Sequence, residues 1–291
     1  MTVPRRLLFR LAASDTLERL VRVLPLVEAQ VRRLGQRYIA GETLDDALAM
    51  ARTLHESGLS AALDFFGEPA RDEAEAERAV DGYIALARRI SETPPTTSLA
   101  LDLSHVGQDV SPPFCFRQLE RIVDALPRER RLDVGAEDCE HIAASHQILV
   151  ALASRGIRVQ ATLQANLRRS IDDWPRLVDA GMDIRLVKGA YVEPEPIAHR
   201  YGPATDGAYG RLAHALHTAG ARLSLATHDA PLRDGLLDEL GPMGVEMRLG
   251  VRPEDHAELL ARGVAVRLYV PYGRDWFRYW MRRLAEAQGT V

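Results

Sequence analysis

A (β/α)8 barrel of the α/β class, with extra helices at its N-terminus, is the fold this chain predicts. Eight short apolar runs recur along 291 residues, a helical pattern follows each, and no run opens into the spaced glycines of a dinucleotide-binding turn. The nearest thing to such a turn, Asp64-Phe-Phe-Gly67-Glu-Pro, lacks the glycine spacing that an open, doubly wound sheet would place after its first strand.

Taken in order, Thr16–Gly35 and Thr43–Ser57 read as two helices before the first strand, placed to cover a barrel end. Strands are expected near Ser60–Phe65, Ser98–Leu103, Arg131–Val134, Arg158–Leu163, Asp183–Val187, Arg222–Ala226, Val245–Leu249 and Ala265–Val270. Their apolar content is read as continuous rather than alternating, the pattern of parallel strands covered on both faces. The first intervening helix, Asp72–Ile90, crowds acids at its start and ends on Arg88-Arg89, which suits the helix dipole. The others are expected at Pro113–Leu126, Asp138–Ser154, Trp174–Ala180, Asp206–Ala219, Leu232–Leu240, Glu254–Arg262 and Asp275–Ala287. No linker, repeat or low-complexity segment divides the chain. It reads as one domain over residues 1–291, with 1–58 a helical segment packing on the barrel.

Composition narrows the function. A hydrophobic content of 46% supports a large core, and a net charge of -4 with mixed signs offers no basic stripe for nucleic acid. Cys115 and Cys139 form no disulfide framework and have no metal-ligand spacing, so no metal is expected. Arg10 and Asp15 interrupt the first apolar run too early for a signal peptide, and no stretch approaches the roughly 18–20 apolar residues of a spanning helix. A cytoplasmic protein is expected.

Barrel chemistry sits at the C-terminal strand ends. Those ends carry Asp64 and Glu68, Asp102, Glu137 and Asp138, Gln164, Arg185 and Lys188, Thr227 and His228, Arg248, and Tyr269. In the closing helix, Tyr279 precedes Arg282 and Arg283 by three and four residues, on nearly one face. Two guanidiniums beside a phenol can clamp a carboxylate; equally, they can be last-turn cations that complement the dipole.

These residues together resemble the proline dehydrogenase family, FAD-dependent (β/α)8 enzymes that oxidise L-proline to pyrroline-5-carboxylate. The resemblance rests on Arg37-Tyr-Ile-Ala-Gly-Glu-Thr43, Leu63-Asp-Phe-Phe-Gly-Glu68, Leu163-Gln-Ala-Asn-Leu-Arg-Arg169, Arg185-Leu-Val-Lys-Gly-Ala-Tyr191, Ala226-Thr-His-Asp229 and the run from Tyr279 to Glu286. It implies that Arg185 lies near the reactive flavin nitrogen, where a cation stabilises the anionic reduced flavin. It further implies FAD contacts from Ala136, Gln164, Lys188, Gly189, Ala190, Thr227, His228 and Glu286. Tyr191, Tyr269 and Tyr279 would wall the substrate, Arg282 and Arg283 would clamp its carboxylate, and Glu68 would pair with the second arginine in an empty site. An electron acceptor, quinone or oxygen, follows from the resemblance, with peripheral membrane contact left open.

Three inner positions depart from the family pattern. The lysine that ends strand two is Asp102, the first aspartate of strand three is Gly135, and a leucine of strand seven is Arg248. Asp133 would replace the missing aspartate only with a shift of register. The local sum of charge is unchanged, so Asp102 and Arg248 are expected to partner across the mouth, since an isolated buried charge demands one. The expected activity is FAD-dependent oxidation of a C–N bond in a small carboxylate-bearing amine, a modified or different amino or imino acid. Ordinary L-proline dehydrogenase activity is one alternative; a flavin-binding or partner protein without turnover is another.

Overall fold

A computed structural model of the chain describes residues 36–274. After a 3-10 turn at Gln36–Tyr38 come α1 (Leu44–Glu56), β1 (Ser60–Phe65), α2 (Glu73–Arg89), β2 (Ser98–Leu101), α3 (Pro112–Ala125), β3 (Arg131–Val134), α4 (Ile142–Ser154) and β4 (Arg158–Gln164). Then follow α5 (Ser170–Asp179), β5 (Asp183–Val187), α6 (Pro203–Thr218), β6 (Leu223–Ala226), α7 (Ala230–Leu240), β7 (Gly244–Arg248), α8 (Asp255–Ala261) and β8 (Val266–Tyr272). The strands form a closed barrel in chain order, with β8 pairing parallel to β1 in the register Ala62↔Tyr269. The expected helices Thr16–Gly35 and Asp275–Ala287 lie outside the described residues.

Local chemistry sets the element ends. A capping box starts α1: Thr43 Oγ1 accepts from the Asp46 amide at 3.2 Å, and Asp46 accepts from the Thr43 amide at 2.9 Å. Asp72 caps α2 by accepting from the Glu75 amide at 2.8 Å. Where Asp138–Ser154 reads as one helix, α4 begins only at Ile142, because Asp138 first takes the amides of Glu140 and His141 in a turn.

Two expectations fail here. Helix α1 does not cover a barrel end. Its buried stripe of Ala47, Leu48, Ala51 and Leu54 packs on β1 and β8. The chain enters beside the end of β8, where the Ala40 amide donates to the Pro271 carbonyl, and leaves directly into β1. Helix α1 therefore fills the outer slot between β8 and β1.

The strands also alternate. Leu63, Leu99, Leu132, Val134, Val159, Leu163, Ile184, Leu186, Leu225, Val245, Met247, Leu268 and Val270 point outward into one helix-covered core. The pairing puts the other row inside the barrel in shared layers, with Asp133 opposite Gln160, Gln160 opposite Asp183, and Glu246 opposite Arg267. This inner row is mostly polar, with small alanines such as Ala62 and Ala100 between, so period two with large apolar residues on one face describes these strands.

Low in the interior lies an ionic lattice. Arg131 donates to Asp133 at 2.6 and 3.1 Å, to Asp183 at 3.0 Å and to Glu246 at 3.4 Å. Ser98 Oγ donates to Asp133 at 2.5 Å, and Gln160 to Glu246 at 2.6 Å. Burial opposes the charge on Asp133, but Arg131 and Arg267 outweigh it and hold the carboxyl below its usual range. Replacing Asp133 with Ala removes one buried carboxylate from two buried guanidiniums and should cost about 3–5 kcal/mol. Urea unfolding of Asp133→Ala would measure this, and a loss below about 1 kcal/mol would mean that the lattice contributes little.

Candidate active site at the barrel mouth

At the C-terminal ends of the strands the inner row opens into a mouth with two unlike halves. Acids occupy the side built by β1 to β3. Asp64 on β1 is fully buried, accepting from Tyr269 on β8 at 2.5 Å and from Tyr83 on α2 at 2.8 Å. Burial, then the charge of Asp102, raises its pKa to about 7, against the lowering effect of both phenols and Arg185. Glu137, just past β3, accepts from the Ser104 amide at 2.9 Å, yet burial and Asp102 push its pKa up to about 8.

Asp102 is exposed at this rim rather than buried, so it lacks the desolvation that would force a partner on it. Arg248 is half-buried. Asp102 and Arg248 each have interactions of their own. Asp102 also rests on Gly135, where a Cβ atom would lie 1.6 Å from its Oδ1. The φ of Gly135 is not in the left-handed region, so space rather than backbone freedom calls for glycine. Asp133 belongs to the lower lattice and does not take Gly135's place at the mouth.

Cations occupy the opposite half. Arg185 on β5 donates to Thr162 Oγ1 at 3.0 Å and faces Glu246 at 3.8 Å, while Thr162 in turn donates to the Val134 carbonyl at 2.7 Å. Lys188 lies 2.5 Å from Asp206 and 2.6 Å from Asp229. Burial would lower its pKa, but the two carboxylates prevail and raise it. At Gly189, φ is 151° and a Cβ would meet Asn166 Oδ1 at 2.2 Å, so backbone and space both require glycine.

The remaining expected residues fall around this rim. Gln164 is spent as a brace, donating to the Glu137 carbonyl at 2.7 Å and accepting from the Ala190 amide at 2.9 Å. Tyr191 reaches back to the Ala136 carbonyl at 3.2 Å. Thr227 Oγ1 accepts from the Asp229 amide, and His228 Nε2 from the Arg248 amide at 3.4 Å. Glu68 sits half-buried in the loop after β1. Tyr279, Arg282, Arg283 and Glu286 lie outside the described residues.

The sequence did not point to Tyr83 or His105, which extend the Asp64 contacts outward: Tyr83 Oη lies 3.0 Å from His105 Nδ1. A buried aspartate at a strand end implies donors, but nothing in the spacing names them. Asp206 was read only as a helix start, though it holds Lys188.

A family model described as Proline dehydrogenase matches residues 47–291. The chain is 31% identical over 263 residues to Proline dehydrogenase 1 of Bacillus subtilis (strain 168), covering 87% of this chain and 87% of that protein. It is 30% identical over 293 residues to Proline dehydrogenase of Deinococcus radiodurans, covering 96% and 94%. Among solved structures it is similar to proline utilization A (PutA) from Bdellovibrio bacteriovorus inactivated by N-propargylglycine. The TM-score is 0.85 at 17% identity, over 98% of this chain and 37% of that one. It is likewise similar to PutA from Corynebacterium freiburgense, with a TM-score of 0.70 at 19% identity, over 94% of this chain and 34% of that one. The chain spans about a third of the length of these two, and the likeness to them concerns the fold.

The raised carboxyls make stability depend on pH. An unfolded aspartate loses its proton near pH 3.9, whereas folded Asp64 keeps it to about 7 and Glu137 to about 8. Across that window the folded state binds more protons, so stability should fall as pH rises. Melting curves between pH 5 and 8 should show this decline, and Asp64→Asn/Glu137→Gln should flatten it. Gly135→Ala should turn the Asp102 carboxylate away and narrow the window. An unaltered slope in the double variant would count against both shifts.

Proposed function

Because the chain belongs to the proline dehydrogenase family, we propose that it is a flavin-dependent oxidoreductase acting on a C–N bond of a small carboxylate-bearing amine. The single observation that carries this reading is the cationic half of the mouth beside a backbone cradle that tolerates no side chain at Gly189. That donor set fits a flavin dinucleotide. Arg185 offers a fixed guanidinium, Lys188 an ammonium between two carboxylates, and the Gly189 backbone an unobstructed approach. FAD would be held by Arg185, Lys188, Gly189, Ala190, Thr227, His228 and Glu286, with Gln164 and Ala136 bracing the loops, and it supplies the hydride acceptor.

The protein's own groups then bind and orient. Arg282 and Arg283 would grip the substrate carboxylate, and Tyr191, Tyr269 and Tyr279 would wall its ring. Glu68 would pair with Arg283 when no substrate is bound. Asp102 sets the charge of the rim facing the substrate. Its carboxylate accepts hydrogen bonds and attracts cations, which supports an amino or imino acid with an added donor or cationic group over L-proline. Arg248 replaces an apolar wall with a guanidinium that an aliphatic ring cannot satisfy. The whole chain would work as one domain in the cytoplasm. Among the described residues no helix is long and apolar enough to cross a membrane, and electrons would pass on to a quinone or to oxygen.

The purified protein should be yellow, with one non-covalent FAD released on denaturation. Anaerobic titration with L-proline, hydroxylated and N-alkylated prolines and basic amino acids then tests the substrate. Bleaching by a polar or basic analogue, with millimolar L-proline slow, is the expected result. Rapid bleaching by L-proline would establish ordinary proline dehydrogenase activity, and a bound flavin that no compound bleaches would leave a binding protein. Arg282→Ala or Arg283→Ala should weaken substrate binding by about 2–5 kcal/mol, roughly 30- to 4,000-fold, with FAD retained. Unchanged affinity in both variants would assign these arginines to the helix dipole.

A further inference from the structure

A line of hydrogen bonds leaves the mouth through the barrel wall. Tyr269 donates to one oxygen of Asp64 at 2.5 Å, Tyr83 donates to the other at 2.8 Å, and the Tyr83 hydroxyl also lies 3.0 Å from His105 Nδ1. Asp64 and Tyr83 are buried, while Tyr269 at the mouth end and His105 at the other end are half-buried. Satisfying Asp64 requires Tyr83 but not a polar ring beyond it.

That ring has a prepared seat. A Cβ on Gly67 would lie 2.2 Å from His105 Nε2, and a Cβ on Gly82 would lie 2.4 Å from the ring of Phe65, which stacks on His105 at 28°. Neither glycine has a left-handed φ, so both are notches for the rings. Each member can also give and take a proton, and the spacings are those of ordinary O–H and N–H hydrogen bonds.

We propose that Tyr269, Asp64, Tyr83 and His105 form a proton relay carrying the amine proton of the substrate from the barrel mouth to solvent. The proposal rests on the oxidoreductase reading, because a C–N bond gives up its hydride readily only from the uncharged amine. As an N–H bond of the bound ammonium breaks, an O–H bond forms on Tyr269, whose own proton passes to Asp64. The carboxylate becomes a carboxylic acid, the ammonium a neutral amine, and no electrons move. The carboxyl then turns its proton toward Tyr83, whose hydroxyl swings from Asp64 to His105, and Asp64 gives its proton to the Tyr83 oxygen as the Tyr83 proton bonds to His105 Nδ1. The imidazole then releases its Nε2 proton to water.

The surroundings suit transit rather than storage. Asp64 is faced by Tyr269 from β8, Tyr83 from α2, Asp102 from the end of β2 and Arg185 from β5, and its proton affinity lies near neutrality. Burial lowers the pKa of His105 to about 4, so the ring accepts a proton only as it gives one up. Tyr83, by burial and the nearby carboxylates, holds its proton far above neutral pH and exchanges it only in a concerted step.

The deciding experiment needs no substrate. In the FAD-loaded chain, the infrared band of the protonated Asp64 carboxyl, identified by its loss in Asp64→Asn, is followed after mixing into D2O at pH 6. Exchange should be fast in the wild type, and roughly a hundredfold slower in Tyr83→Phe and in His105→Gly. Added imidazole should restore it in His105→Gly alone. The same variants, reduced anaerobically by whichever panel compound bleaches the wild type, should show a matching slowdown and imidazole rescue. Exchange as fast in both variants as in the wild type would overturn the relay. So would a slowdown that imidazole leaves untouched while FAD content and melting temperature stay normal. If no compound bleaches the wild type, the functional reading fails while the exchange measurement still judges the relay.

Discussion

The guanidinium of Arg131 holds this barrel together from within. It reaches carboxylates on its own strand, on β5 and on β7, so three strands share one cation. Without it, Asp133, Asp183 and Glu246 would lose the one cation they share. Glu246 carries the lattice upward, because the residue that takes Arg131 and Gln160 from below also faces Arg185 above. The mouth is thus continuous with the floor, and Arg185 is oriented in part by a charge from the lattice below it.

Over that floor the mouth is electrically divided. Carboxyls gather on β1 to β3 and cations on β5 to β7, so a zwitterion would find a direction already drawn for it. Burial does most to lift the acids out of their ordinary range, and exposed Asp102 then adds its repulsion to both. Gly135 decides where that repulsion comes from, since the absence of one carbon lets the Asp102 carboxylate lie against the third strand.

Most of the architecture was legible. Strand positions followed from apolar runs, and the helices that start on a side-chain cap, such as α1 and α2, were read to within a residue or two. The alternation is also present in Arg158-Val-Gln-Ala-Thr-Leu-Gln164 and Asp183-Ile-Arg-Leu-Val187, but a polar barrel interior runs against the usual apolar filling, which masks the signal. The rim residues were legible because strand ends are fixed once strands are fixed. Their partners were not. Tyr83 with Asp64, Asp206 with Lys188 and Gly135 under Asp102 are contacts between elements, and spacing along a chain does not encode them.

The position of α1 bears on how the chain comes into being. During synthesis Leu44–Glu56 emerges first, but one of the two strands it packs on is β8, which emerges some two hundred residues later. Its apolar stripe must wait, half covered, until Val266–Tyr272 arrives and the sheet can close. Closure therefore joins the earliest described helix to the last strand in one late, long-range event. Intermediates before it would expose both an open sheet edge and an unsheltered helix face, the surfaces that chaperones bind and aggregation exploits.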